Sequence, residues 1–247
     1  MQRLDLGKVT NYVANNIDNF HAARLESLRK LKLRQVLKRK NPYLFKAKHI
    51  ISAPELVKTL LDAHLSSQEE TMFGEFLEEL AIFVCGQVYG GKKSPAEGID
   101  LEFKKDDIIY IISVKSGPNW GNSRQIAKMK EDFRKARRIL RTNNSRANVV
   151  AVNGCCYGRN NKPEKDEYLK LCGQQFWYFI SDDDGLYTKI IEPLAHKAKE
   201  RNEEFAKSYA QLITNFTAEF INDFCDDGII NWERLVRFNS GRDRFKR

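Results

Sequence analysis

GIDLEFKKDDIIYIISVKSG, residues 98–117, places an aspartate at the start of one hydrophobic run and a lysine near the end of the next. Two hydrophobic runs flank Asp106 and Asp107, a residue type that tolerates tight turns. A turn there sets Lys105 opposite Ile108 and pairs two strands outward from that point. Side chains alternate along a strand. Ile99, Leu101 and Phe103 therefore join Ile108, Tyr110, Ile112 and Val114 on one face, read as the core. The other face carries Asp100 and Glu102, then Ile109, Ile111, Ser113 and Lys115. In this register Asp100 lies opposite Ser113, with Lys115 as a diagonal neighbour at about 7–8 Å. A slip of one residue would scatter the polar group.

The chemistry of that group follows from its residue types. A carboxylate at a sheet surface holds a hard cation such as Mg²⁺ through oxygen, and a backbone carbonyl such as that of Val114 offers a further oxygen. A neighbouring lysine can orient or deprotonate a water and stabilise charge building on phosphorus. Phosphodiester hydrolysis needs these parts together. A cross-strand Asp–Lys ion pair on a solvated face has the same spacing, and spacing alone does not separate the two.

Outward from the hairpin, "QEETMFGEFLEELAIFVCGQV" (68–88) has Phe73, Phe76, Leu77, Leu80 and Val84 at helical spacing and is expected to pack on the sheet. A helix is expected over about 122–141, followed by a strand in "ANVVAVNGCCYG". The order helix, strand, strand, helix, strand predicts an α/β layer with a central mixed sheet. Before it, helix is expected to about Lys40, broken by "NPY" (41–43), with another after Pro54 through "ELVKTLLDAHL". After it come a long helix from about Tyr187 to Phe224, interrupted or started near Pro193, and a short one in "NWERLVRF". With no repeat or linker, one domain over 1–247 is the economical organisation: an N-terminal helical region (1–66), a core (67–155) and a mainly helical C-terminal region (156–247).

A chain of 247 residues with 42% hydrophobic and 30% charged content can bury a sizeable core. Its apolar runs fall far short of the roughly 20 residues of a membrane span, so no membrane association is expected and a cytoplasmic location is the simplest reading. The five cysteines show no paired CxxC spacing, and the four histidines, His21, His49, His64 and His196, are scattered. Reduced, mostly buried thiols are expected rather than a zinc site. The net charge of +9 favours a polyanionic partner. Residues 24–48 hold ten Lys or Arg against Glu26 alone, and the final "GRDRFKR" adds four more.

"GIDLEF" followed by "SVK", with twelve residues between Asp100 and Ser113, resembles the signature of the PD-(D/E)XK nucleases, whose common core has the same element order. Together with "NPYLFKAKHI", "EETMFGEFLEELAIFV", "SVKSGPNWGNS", "AVNGCCYG" and "INWERLVRFNS", it resembles a group of type II restriction endonucleases over about 40–240. The resemblance implies a restriction-endonuclease-like fold and a Mg²⁺ requirement, with Mn²⁺ as a substitute. It also implies a homodimer cutting a short palindromic site in double-stranded DNA, in a prokaryotic cytoplasm beside a cognate DNA methyltransferase.

Position by position, Asp100 takes the place of the motif's first acid and Lys115 that of its lysine. Ser113 stands where an acid is usual, leaving the metal site one carboxylate short. Some members of the superfamily carry the missing acid on a neighbouring helix, which points to Glu78; Asp132, Glu131 and Glu102 are further candidates. For DNA contact, the loop after Lys115 offers Asn119, Trp120, Asn122, Ser123, Arg124 and Gln125, types that read base edges or, as for Ser123, cap a helix. The following helix adds Lys128 and further basic residues, Lys130, Arg134, Lys135, Arg137 and Arg138, for phosphates. "YGRNNKPEK" (157–165) adds Arg159, Asn160 and Asn161. Two other readings fit the same residues: a repair or junction-resolving nuclease, and an inactive DNA-binding protein.

Overall fold

Asp106 and Asp107 both adopt positive φ, 49° and 61°, as a two-residue type I′ hairpin turn requires. Strand β1 (Leu101–Lys105) and strand β2 (Ile108–Lys115) pair antiparallel from Lys105↔Ile108 to Leu101↔Ile112, the expected register. The computed structural model describes residues 2–143 and 145–242. The last five residues of "GRDRFKR" lie outside them.

β2 runs parallel to β3 (Asn148–Cys155), which runs parallel to β5 (Tyr168–Cys172), and the short β4 (Glu164–Lys165) closes the far edge antiparallel to β5. The sheet order is β1-β2-β3-β5-β4, the mixed sheet expected. Both faces are covered. On one face Leu101, Phe103, Ile112 and Val114 pack with Phe76, Leu80 and Val84 of α4 (Ala53–Tyr89), Val13 of α1 (Leu6–Lys30) and Trp177 of α6 (Gln174–Ser181). On the other, Ile111 and Val149 pack with Met129 and Phe133 of α5 (Ser123–Asn143). The isoleucines that share a face with Ser113 are thus core as well.

Ile99 belongs to the α5-side cluster, not to the side of Leu101 where strict alternation placed it. The reason lies in the step between them. The Asp100 N–H donates to the Ile112 carbonyl (2.9 Å), so Asp100 and Leu101 are both set against Ile112. This bulge-like step breaks the alternation at Asp100 and re-aims its side chain.

The chain divides into two compact units: the chain up to Phe20 with Phe73–His196, which holds the five-stranded sheet, and His21–Met72 with the chain from Lys197 onward. The second contains α2 (Leu33–Arg39), α3 (Pro42–Ala47), α9 (Ala198–Phe224), the two-strand ribbon of β6 (Cys225–Asp226) and β7 (Ile229–Ile230), and α10 (Trp232–Ser240). Its core gathers Leu33, Phe45, Leu56, Leu60, Phe220 and Leu235. The basic stretch folds here with several cations paired: Arg24 with Glu69, Arg29 with Glu204, Arg34 with Asp223.

Helix boundaries depart from the sequence reading in four places. The N-terminal helix breaks at Leu31–Lys32, before α2. "NPY" does more than stop a helix, because the Asn41 side chain caps α3 and Pro42 fills its first turn. The helices expected at 54–65 and 68–88 are one 37-residue helix, α4. The helix expected from Tyr187 is three pieces, α7 (Leu186–Lys189), α8 (Ile191–Leu194) and α9, with Lys197 left-handed (φ 51°) before the last. No helix is long and apolar enough to cross a membrane among the described residues. The five thiols are free, and all but Cys225 are buried.

Candidate active site

The re-aimed Asp100 carboxylate sits at the mouth of the hairpin. One oxygen, Oδ2, accepts from the Val114 N–H at 2.7 Å, the Ser113 Oγ at 3.4 Å and the Lys115 Nζ at 3.5 Å. Oδ1 has no hydrogen-bond partner among the described residues, leaving its lone pairs for an added electrophile. Lys115 also donates to the Val114 carbonyl at 2.8 Å. Asp100, Val114 and Lys115 thus converge without a register slip.

A buried layer holds this edge. Ser113 is 2% exposed, and Asn153, its partner on β3, is 1% exposed. The Asn153 side chain donates to the Ser113 carbonyl at 3.2 Å and accepts from the Trp120 indole N–H at 3.1 Å. Lys115 Nζ lies 5.4 Å from the Trp120 ring centroid, in reach of a cation–π attraction. Trp120, expected at DNA, therefore forms the wall beside the lysine. Asn153 escaped the sequence reading; its signal was an asparagine inside the apolar run "VVAVNGCC".

Glu78 reaches the site from α4, the face opposite α5. Burial, then the neighbouring negative charge of Asp100, pushes its carboxyl above the ordinary value, while Lys93 and Lys115 pull it back. Its Oε1 lies 3.7 Å from Lys93 Nζ, a residue the sequence reading did not single out. The other candidate acids have different partners. Glu131 is exposed and paired with Lys135, and Glu102 accepts from Ser94 Oγ and pairs with Lys92 at the sheet edge. Asp132 is buried under Gly98, where it pairs with Lys128 at 2.8 Å.

No three His, Cys, Asp or Glu side chains are arranged so that they could hold a metal ion among the described residues. Two carboxylates and a carbonyl nevertheless suit Mg²⁺, which keeps most of its waters and uses one or two protein carboxylates plus substrate phosphate. The donor set is all hard oxygen, and Glu78 is raised first by burial and then by the charge of Asp100, both of which a bound cation would offset.

The two loops proposed for DNA lie side by side at the C-terminal ends of β2 and β3. Cys156 N–H donates to the Lys115 carbonyl and Tyr157 N–H to that of Ser116. Lys170 Nζ ties to the Pro118 carbonyl at 2.7 Å. Several expected contact residues have structural duties. The Asn122 side chain, not that of Ser123, caps α5 by accepting from the Arg124 and Gln125 N–H groups, and the Gln125 side chain accepts from the Asn122 N–H in return. This reciprocal box satisfies three helix-start donors. Asn160 holds the Lys162 and Lys170 carbonyls. Lys128, Lys130, Arg134 and Lys135 are paired with acids. Asn119, Ser123, Arg124, Arg159 and Asn161 remain exposed.

No curated protein matches the sequence. The model of the family described as type II restriction endonuclease EcoO109I matches residues 7–202, a span that includes Glu78, Asp100, Ser113 and Lys115 and the whole five-stranded sheet. On that match over most of its length, the chain belongs to the type II restriction endonuclease EcoO109I family.

Proposed function

We propose that this protein is a Mg²⁺-dependent endonuclease that hydrolyses double-stranded DNA at a short, palindromic site, acting as a homodimer alongside a methyltransferase that protects the same sequence. The observation that carries the reading is the meeting of Asp100, Glu78 and Lys115 at one sheet edge within the matched family span. Asp100 and Glu78 would hold the metal together with the Val114 carbonyl, and bound Mg²⁺ supplies Lewis acidity toward water and phosphate.

The protein's own groups then have distinct tasks. Lys115, anchored on the Val114 carbonyl and walled by Trp120, holds the attacking water and offsets the charge that builds on the phosphate oxygens. Ser113 does not replace the acid; its hydroxyl and the Val114 N–H donate to Asp100 and keep that carboxylate oriented. Incubating the protein with a sequenced plasmid and Mg²⁺ tests the reading. Discrete fragments with common end sequences are expected. Cleavage confined to branched DNA would indicate a junction nuclease, and binding without cleavage in Mg²⁺ or Mn²⁺ an inactive module.

A further inference from the structure

Beside the candidate active site, the sheet-bearing unit contains a cleft of about 570 Å³. Its inner wall is apolar, from Phe73, Leu77, Trp177, Ile190 and Leu194, and its rim carries Tyr157, Tyr187, Arg159, Asn161 and Gln175. The walls are fixed. Trp177 Nε1 donates to the Cys156 carbonyl at 2.8 Å, and Gly173, at φ 55°, lies so close to Gly158 that an added Cβ would sit 2.5 Å from the Gly158 oxygen. The cleft is therefore preformed, as ligand sites usually are. It opens where the parallel strands end, and one loop joins it to the catalytic edge. Tyr157 N–H bonds to Ser116, and the peptide of Cys156 links Lys115 to Trp177.

The rim is chemically idle in the free protein. The side chains of Arg159, Asn161 and Gln175 hold no hydrogen bond or ion pair among the described residues. Tyr157 is 60% and Tyr187 40% exposed, and the Tyr157 ring lies close enough against Gly117, in the loop after Lys115, that an added Cβ there would meet it at 2.3 Å, which fixes the ring at the rim. Flat rings, an apolar interior and free amide and guanidinium groups are what a nucleobase needs: faces to stack on and donors and acceptors for its edge. On the nuclease reading proposed above, on which this rests, we infer that the cleft receives a base of the DNA substrate turned out of the helix. Tyr157 and Tyr187 stack on it, Gln175 and Asn161 meet its edge, and Arg159 holds the adjoining phosphate.

Three fluorescein-labelled duplexes of one sequence, titrated by anisotropy in metal-free buffer, test this. One is fully paired, one has an abasic site opposite a single base, and one is abasic on both strands at that position. A base without a partner has no pairing to lose on leaving the stack, so the second should bind about tenfold more tightly than the first. The third is as flexible but offers no base, and should bind like the first. Tyr187→Ala and Gln175→Ala should each erase the preference, bringing the second duplex down to the affinity of the third. Equal binding of all three duplexes, or of the second and third, overturns the inference and leaves the nuclease reading standing. Absence of binding to any duplex overturns both.

Discussion

Glu78→Gln keeps the shape of the side chain and removes its charge, so it separates packing from metal binding. In the metal-free protein the change should be stabilising, because burial and Asp100 oppose the ionised carboxylate that it replaces. In the presence of Mg²⁺ it removes one of two carboxylates. A unit charge pair at about 4 Å is worth about 4 kcal/mol at an effective dielectric of about 20. The Glu78 and Asp100 side chains are 26% and 21% exposed, and solvent screening reduces that to roughly 2–4 kcal/mol. At about 1.4 kcal/mol per decade, cleavage should fall about 30- to 1000-fold, most steeply at limiting Mg²⁺. Initial rates of supercoiled-plasmid nicking across a Mg²⁺ series, with thermal melts of the metal-free protein, measure both halves. A variant that cuts within threefold of the parent at low Mg²⁺ would refute Glu78 as the replacement acid. A lowered melting temperature would refute the electrostatic account of its environment.

Four further outcomes follow from the same geometry. Asp100→Ala and Lys115→Ala should each depress cleavage by about a thousandfold or more while DNA affinity by anisotropy stays within a few-fold; robust cutting by either removes the site assignment. Ser113→Asp should restore part of the activity lost in Glu78→Ala, since its Oγ lies 3.4 Å from Asp100; a double variant no better than Glu78→Ala would show that an acid at 113 cannot serve. The folded Glu78 carboxyl binds its proton more tightly than the unfolded one, so metal-free stability falls as pH rises from 4.5, its ordinary value, through its folded value. Glu78→Gln should flatten that slope, and Lys93→Ala should move it to higher pH; melts across pH 4–8 that superimpose for all three proteins would contradict this. Asn122→Ala should cost about 1 kcal/mol of stability through loss of the α5 cap, whereas Ser123→Ala should cost little; denaturant melts giving the reverse order would reassign the cap.

The hairpin was legible because its determinants are local: two aspartates that accept positive φ and an alternation of apolar residues on either side. The mixed sheet followed from element order. What the sequence hid was set by contacts distant along the chain. The step at Asp100 occurs where Gly98 rests on Asp132 from α5 and Lys92 pairs with the outer edge of Glu102, and neither neighbour is visible in a period-two pattern. The Ser67 and Thr71 hydroxyls bond to carbonyls four residues back, absorbing into α4 a polar stretch that read as a boundary. Asn122 with Gln125 three residues on was a readable capping pair, passed over for Ser123. Glu78, whose ridge with Ala81 and Ile82 is partly apolar, stood out from the other acids of its helix through the resemblance, because which of them comes near Asp100 is fixed by packing.

The four buried thiols turn this sheet into its own clock. β3 sets Cys155 between Lys115 on one neighbouring strand and Cys172 on the other, and burial pushes its thiol up to about 12. A thiol so protonated and enclosed reacts with an aromatic disulfide reagent only when the strands part. Its labelling rate therefore times the opening of the strand beside Lys115, with no probe to introduce. Bound DNA or metal that steadies this edge will lengthen the interval by the factor it contributes to closure.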